Sequence, residues 1–249
     1  MRFPTAHRSS TSIDNAPPEP HYLAKLEANM AKRDVTQLNA AVHRLLSQTE
    51  NPRHRILLHS YSRHRYLEVA GRYEEIFAAE MMVPDPVYHF NANGNDIELR
   101  GQEEIKRLYR MWTRTNQCIF FIESEEVAVA DHYVASFSTG YQQVSGKTVK
   151  ANKFLSHLPK RLARALVARS LAGDHHSADD RDMYLYKSTV EMIWPYDDQG
   201  RLIGEDAWES DPSKSELIPL APEDVVSTEE AARLLNPLIL PVPAARPLN

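Results

Sequence analysis

The chain has 249 residues, of which 42% are hydrophobic, enough for one full core with extensions. A net charge of −5 and a pI near 6.1 argue against a dominant nucleic-acid surface, and no apolar run approaches the ~20 residues of a membrane helix. Cys118 stands alone, which excludes an intrachain disulfide and a thiolate zinc cluster.

The opening "MRFPTAHRSSTSIDNAPPEPH" lacks the apolar core of a signal peptide and reads as a polar arm to residue 18. With the single cysteine, this makes a cytoplasmic location the expectation. Residues 19–48 carry two helical patterns. The first has Leu23, Leu26 and Met30 on one face; the second starts at Asp34, a good N-cap, and carries Leu38, Val42 and Leu45 or Leu46. Residues 1–50 are thus an arm with N-terminal helices.

A more regular pattern begins at Asn51. "NPRHRILLHSYSRHRYLEVA" predicts a long helix with Pro52 in its first turn, and "RYEEIFAAEMM" a shorter one. "PDPVYHFNA" and "IELRG" predict strands around an "NGND" turn. "QEEIKRLYRMWTRTN" predicts a third helix with Ile105, Leu108, Tyr109 and Trp112 on its apolar face. Four strands follow, in "CIFFIESEEVAVA", "HYVASFSTGYQQV", "MYLYKSTVEMIWPY" and "RLIGEDAWES". Helices segregated from a strand meander indicate an α+β domain over residues 51–211, with helices on one face of a curved sheet. An insertion over about 152–182 interrupts it, with a basic helix at 158–173 and a polar loop holding His175 and His176. The extension 212–249 holds a short helix capped at Ser227 or Thr228, then a Pro-rich apolar stretch whose Leu235, Leu238, Ile239, Leu240 and Val242 fit packing on the domain or on a neighbouring subunit.

The order of these elements resembles the SnoaL-like branch of the nuclear transport factor 2-like superfamily. The resemblance rests on "YLEVAGRYEEIFAAEMM", on "VYHF…IELRGQEEIKRLYRMW" and on the closing "DDQGRLIGEDAWESD", and covers about residues 51–211. It implies a conical barrel, a curved antiparallel sheet with helices packed on its concave face. It also implies a pocket between the two, and a homo-oligomer, dimer or trimer. The superfamily holds polyketide cyclases, isomerases, epoxide hydrolases, dehydratases and non-catalytic proteins, so the fold does not choose the function. The long chain with its insertion and apolar tail also resembles the cofactor-free lyases that deformylate lignin-derived diarylpropanes. No residue role is carried over from that group.

Candidate chemistry sits on the strands. His89 lies mid-strand, with Val87 and Asn91 on its face and Tyr88 and Phe90 on the other, and a pocket histidine is a ready acid or base. In the last strand, alternation groups Ile203, Glu205, Ala207 and Glu209 against Leu202, Gly204, Asp206 and Trp208. The second group offers space at Gly204, a flat wall at Trp208 and a partly desolvated acid at Asp206. Lys187, in an otherwise apolar strand, is either a cross-strand ion-pair partner or a cation for a phenolate or enolate. Tyr61 shares a helix face with Leu57, Leu58 and Arg65, as a core tyrosine or one that orients substrate.

The expected catalytic set is therefore His89, Asp206, Lys187 and Tyr61, with Tyr88, Trp208, Glu205 and Trp112 contacting substrate. His54, His59 and His64 turn by roughly 140° from one to the next and cannot share a helix face, so no metal site is assigned. Lys160, Arg161, Arg164 and Arg169 fit a lid or subunit contact better than a nucleic-acid surface. There is no Gly-rich phosphate loop, dinucleotide fingerprint or nucleophile elbow, and no cofactor is expected. The function expected is a cofactor-independent lyase acting by acid–base chemistry on a small aromatic substrate, as in the deformylation of a diarylpropane diol to a stilbene. The alternatives are a polyketide cyclase, dehydratase or isomerase of the same fold, or a non-catalytic binding or assembly module.

Overall fold

Asn51 and Pro52 separate two helices, α1 (Ala40–Gln48) and α2 (Pro52–Val69), on which the rest of the protein is built. In this computed structural model, which describes residues 33–92, 95–155, 166 and 182–243, Asn51 caps α2 by accepting from the Arg53 N–H at 2.9 Å. Pro52 fills the first turn, where an N–H has no helical partner. Asp34 caps a 3-10 turn, Val35–Gln37, rather than the α-helix itself. Val35, Leu38 and Val42 are buried, so the chain belongs to the core from there on.

After α2, the stretch expected as a short helix forms only a 3-10 turn, Tyr73–Phe77, that buries Ile76 and Phe77. Next come β1 (Met82–Ala92), β2 (Asn95–Arg100) and α3 (Gly101–Arg114). Gly101, at φ 76°, permits the sharp turn from strand to helix, and Glu104 accepts from the Arg100 N–H at 2.8 Å to close the first turn. The meander follows: β3 (Phe120–Ala130), β4 (Tyr133–Ser145), β5 (Met183–Pro195) and β6 (Leu202–Glu209). The elements not read from the sequence as such include helix α4 (Gly146–Leu155), strand β7 (Glu216–Pro219) and several 3-10 turns, Tyr73–Phe77 among them. Helix α5 (Thr228–Leu235) starts where expected, its Ser227 side chain accepting from the Glu230 N–H. The basic helix and the His175–His176 loop lie outside the described residues.

The seven strands form one open, curved sheet in the order β2-β1-β6-β5-β4-β3, with β7 on β5. The expectation of an antiparallel sheet needs correction: β1 and β6 run parallel, so the sheet is mixed. The cause is topological. The hairpin with β5 sets the direction of β6, and the sheet then seats β6 against a strand laid down before the meander began. The edge of β5 is shared, with β6 along Val190–Ile193 and β7 along Tyr184–Lys187.

Helix α2 is buried around most of its circumference. Leu57, Leu58 and Tyr61 join a core with Tyr88, Ile105, Tyr109, Trp194 and Leu202. Tyr66, Val69 and Ala70 join a second core with Cys118, Ile119, Leu185, Ala231 and Leu235, so α5 packs on its own domain. Two polar clamps lock this arrangement. Buried Arg53 donates to the backbone carbonyls of Asp131, Asp197 and Asp198, tying α2 to the turns at the sheet end. Gln143 bonds both the N–H and the carbonyl of Val226, like an added strand residue, and holds the tail.

Candidate functional site

The helix-covered face of the sheet carries a buried polar cluster. Helix α2 presents Tyr61, His64, Arg65 and Glu68 at spacings of three and four, which place them on one stripe. Helix α3 adds Tyr109, and the strands add Tyr88, Glu125, Ser136, Trp194, Tyr196 and Glu205.

The register explains why Glu205 faces inward. Tyr88 pairs with Glu205, and His89 with Asp206, so alternate residues of β1 and β6 point to opposite faces. Gly204 seats this pairing, because a Cβ there would stand 2.0 Å from the Val87 carbonyl oxygen. The strand also changes phase here. Leu202, Gly204, Glu205, Ala207 and Glu209 are buried, while Ile203 is exposed. The simple alternation of the last strand therefore breaks at Gly204–Glu205, and its desolvated acid is Glu205, at 5% exposure, with Asp206 at 41%. A phase change also occurs in β4, where buried positions run Val134, Ser136, Ser138 and then Tyr141, Gln143, Ser145.

Two electrostatic regimes adjoin in the cluster. In the first, charge is neutralised. Arg65 Nη1 lies 3.0 and 3.1 Å from the two oxygens of Glu125, whose side chain is 2% exposed. The Arg65 guanidinium stands 5.0 Å over the Tyr61 ring. The Tyr61 hydroxyl lies 3.2 Å from Ser136 Oγ and 3.4 Å from Glu125. Burial, opposed by Arg65, pushes the Tyr61 phenol well above its ordinary value, so it stays neutral.

The second regime is a carboxyl pair. Burial, then the neighbouring Glu68 and Asp206, push Glu205 well above the usual carboxylate range, against the pull of Arg65. Burial likewise raises Glu68, to about 8, with Arg65 again opposing. Among the described residues, neither carboxyl has a side-chain hydrogen-bond partner. Desolvation, with the like charge next to Glu205, thus keeps both carboxyls protonated well above the usual carboxylate range.

A network of aromatic rings adjoins these carboxyls. Tyr61 and His64 each meet Trp194 edge-on, with centroids 4.8 and 4.6 Å apart. Tyr109 is ringed by Tyr73, Phe77, Tyr88 and Trp112. His64 Nε2 lies 2.9 Å from the Tyr109 hydroxyl, which donates to the Tyr88 hydroxyl at 3.4 Å. Burial and Arg65 lower the His64 imidazole to about 3, so it is neutral.

The residues expected from the sequence divide between the two faces. Tyr61, Tyr88 and Glu205 come together in the cluster, and Trp112 meets the Tyr109 ring edge-on. His89 and Asp206 sit on the opposite face with Trp208. There His89 Nε2 is 2.7 Å from Asp96 and Nδ1 is 3.7 Å from Asp206. Lys187 is 2.7 Å from Glu123 and 5.3 Å from the Tyr141 ring centre, and that carboxylate raises its pKa. Eight members of the cluster, His64, Arg65, Glu68, Tyr109, Glu125, Ser136, Trp194 and Tyr196, were missed as functional residues. One signal for them was present: His64 and Glu68 extend the Tyr61–Arg65 stripe by helical spacing. No group of three or more metal-binding side chains occurs among the described residues, and no described helix is long and apolar enough to cross a membrane. Comparison with protein-family models and with curated proteins finds no match to this sequence.

Proposed function

We propose that this protein is an acid–base lyase of the SnoaL-like, nuclear transport factor 2-like type, using its own side chains on a small, largely apolar aromatic substrate. One observation carries the proposal: Glu205 is buried, Glu68 is partly buried beside it, and both carboxyls are held well above the usual carboxylate range among aromatic side chains. An elimination needs an acid and a base at once. Glu205, the more buried and raised well above the carboxylate range, keeps its proton and is the acid; Glu68, which ionises first, near pH 8, is the base. A binding module would fill this interior with Leu and Phe, whereas here it holds ionisable groups. The element order and the open, curved sheet with helices on one face support the superfamily assignment.

For a diarylpropane diol the steps balance. Glu205 protonates the benzylic hydroxyl, which leaves as water, and the para-oxygen of the ring stabilises the cation. Glu68 removes the proton of the terminal hydroxyl, the C–C bond breaks, formaldehyde departs and the electron pair closes a stilbene double bond. The test uses full-length protein, treated with chelator and desalted, with a guaiacyl diarylpropane diol. Stilbene absorbance and formaldehyde are expected to rise in equal amounts, and to be lost in Glu205→Gln. A wild-type rate in Glu205→Gln would overturn the assignment of the acid. Absence of both products with wild type would overturn this substrate.

A further inference from the structure

The hydrogen-bond polarity of the cluster has a direction. Tyr109 donates its only hydroxyl proton to Tyr88, so the 2.9 Å contact with His64 requires His64 Nε2 to be the donor. The chain His64 Nε2–H, Tyr109 O–H, Tyr88 O–H therefore runs one way, and the Tyr88 proton remains for a further acceptor. Two more donors in the same interior lack any partner among the described residues: the Tyr196 hydroxyl and Trp194 Nε1. Ser60 approaches Tyr196, but no hydrogen bond of ordinary geometry joins them. Both side chains are more than nine-tenths buried, and a buried donor left unpaired forfeits the hydrogen bonds it made to water. The region is thus rich in donors. Its one fixed cation among the described residues, Arg65, is already matched by Glu125.

We infer that this interior is a binding site for an uncharged aromatic molecule with an oxygen acceptor, and that His64 acts through Tyr109 as a positioning residue fixing Tyr88 as a donor to that oxygen. An anionic ligand meets no free cation there and faces the Glu68–Glu205 pair, whereas a neutral carbonyl, ether or phenol oxygen satisfies the waiting donors. The 3.4 Å Tyr109–Tyr88 contact is long for two hydroxyls. The inference rests on the interior being the ligand site proposed above, but it does not require turnover.

The experiment is therefore a binding measurement on the full chain, by calorimetry at pH 6.5, with three probes of one size: acetophenone, ethylbenzene and benzoate. Acetophenone is expected to bind about tenfold more tightly than either of the others, the worth of one or two neutral hydrogen bonds. Tyr88→Phe is expected to remove the preference over ethylbenzene. Tyr109→Phe, which keeps the ring and breaks the chain, is expected to do the same. His64→Gln, which keeps an N–H donor, restores part of what His64→Leu loses. Nitrogen-15 NMR should show His64 as the Nε2–H tautomer. Benzoate binding as tightly as acetophenone would overturn the ligand class. An Nδ1–H tautomer, or an unchanged preference in Tyr109→Phe, would overturn the role of His64. Failure of all three probes to bind would overturn the inference as a whole. Turnover that depends on Glu205 but not on Tyr88 would overturn the donor role while leaving the lyase assignment standing.

Discussion

Two neighbouring residue pairs on the β1–β6 ribbon carry similar groups to opposite fates. Tyr88 and Glu205 face the helices and are buried; His89 and Asp206, one residue on, face away with side chains 33% and 41% exposed. On the outer face, His89 lies between Asp96 and Asp206 where water screens each ion pair, and such pairs contribute little. On the inner face the same type of acid loses its solvent and is pushed well above the usual carboxylate range. Environment, not residue type, separates the two carboxyls, and the pleat of a single strand pair creates both environments.

The largest expected effect contrasts the two faces directly. Glu205→Gln should lower kcat by about a thousandfold, the range for loss of a general acid, while His89→Ala and Asp206→Asn should stay within about threefold. Steady-state rates on one substrate check this, and a thousandfold loss in His89→Ala would reverse the comparison.

Next in size is Arg65→Met, which leaves Glu125 buried without its partner and should cost about 3–5 kcal/mol in chemical denaturation. On the outer face, Asp206→Asn should cost less than about 0.5 kcal/mol. Gly204→Ala tests the device that seats the two faces. Its Cβ would meet the Val87 carbonyl oxygen at 2.0 Å, so β1 and β6 must part, and a lowered denaturation midpoint worth about 2–3 kcal/mol is expected.

The smallest effect is the most specific. Folded Glu68 and Glu205 hold protons that the unfolded chain releases at ordinary carboxyl values. The folded state thus binds more protons than the unfolded one, and stability declines as pH rises from about 4.5 towards about 8. Glu68→Gln should remove part of that decline, a gain of about 1–2 kcal/mol at pH 8 and none at pH 4, since solvent screens a half-buried group. His64 works in the other direction. Unfolded it takes a proton below about 6.5, and folded not until about 3, so stability also falls with acid across that window. Urea midpoints between pH 3 and 9 for wild type, Glu68→Gln and His64→Gln separate the two arms. A flat difference between wild type and Glu68→Gln would show that the carboxyl is not desolvated.

Residue pattern alone set the local elements of this protein. Period-two and period-3.6 hydrophobicity, with Asn51, Pro52, Gly101 and Ser227 as punctuation, located six strands, the long helix α2, helix α3 and the tail helix α5, because these signals act within a few residues of one another. The same local view placed Tyr88 opposite His89 and put Tyr61 and Arg65 on one helix face. It did not find the parallel seating of β6 on β1, because strand neighbours more than a hundred residues apart are chosen by packing and not by sequence spacing. It also extended alternation straight through Gly204. There, the close approach of the Val87 carbonyl breaks the phase, so the buried acid is Glu205 and not Asp206. His64, Glu68, Tyr109 and Tyr196 each read as ordinary core or surface residues until tertiary contact assembled them. Desolvation, charge repulsion and hydrogen-bond direction are properties of that assembly, and no single segment of the chain carries them.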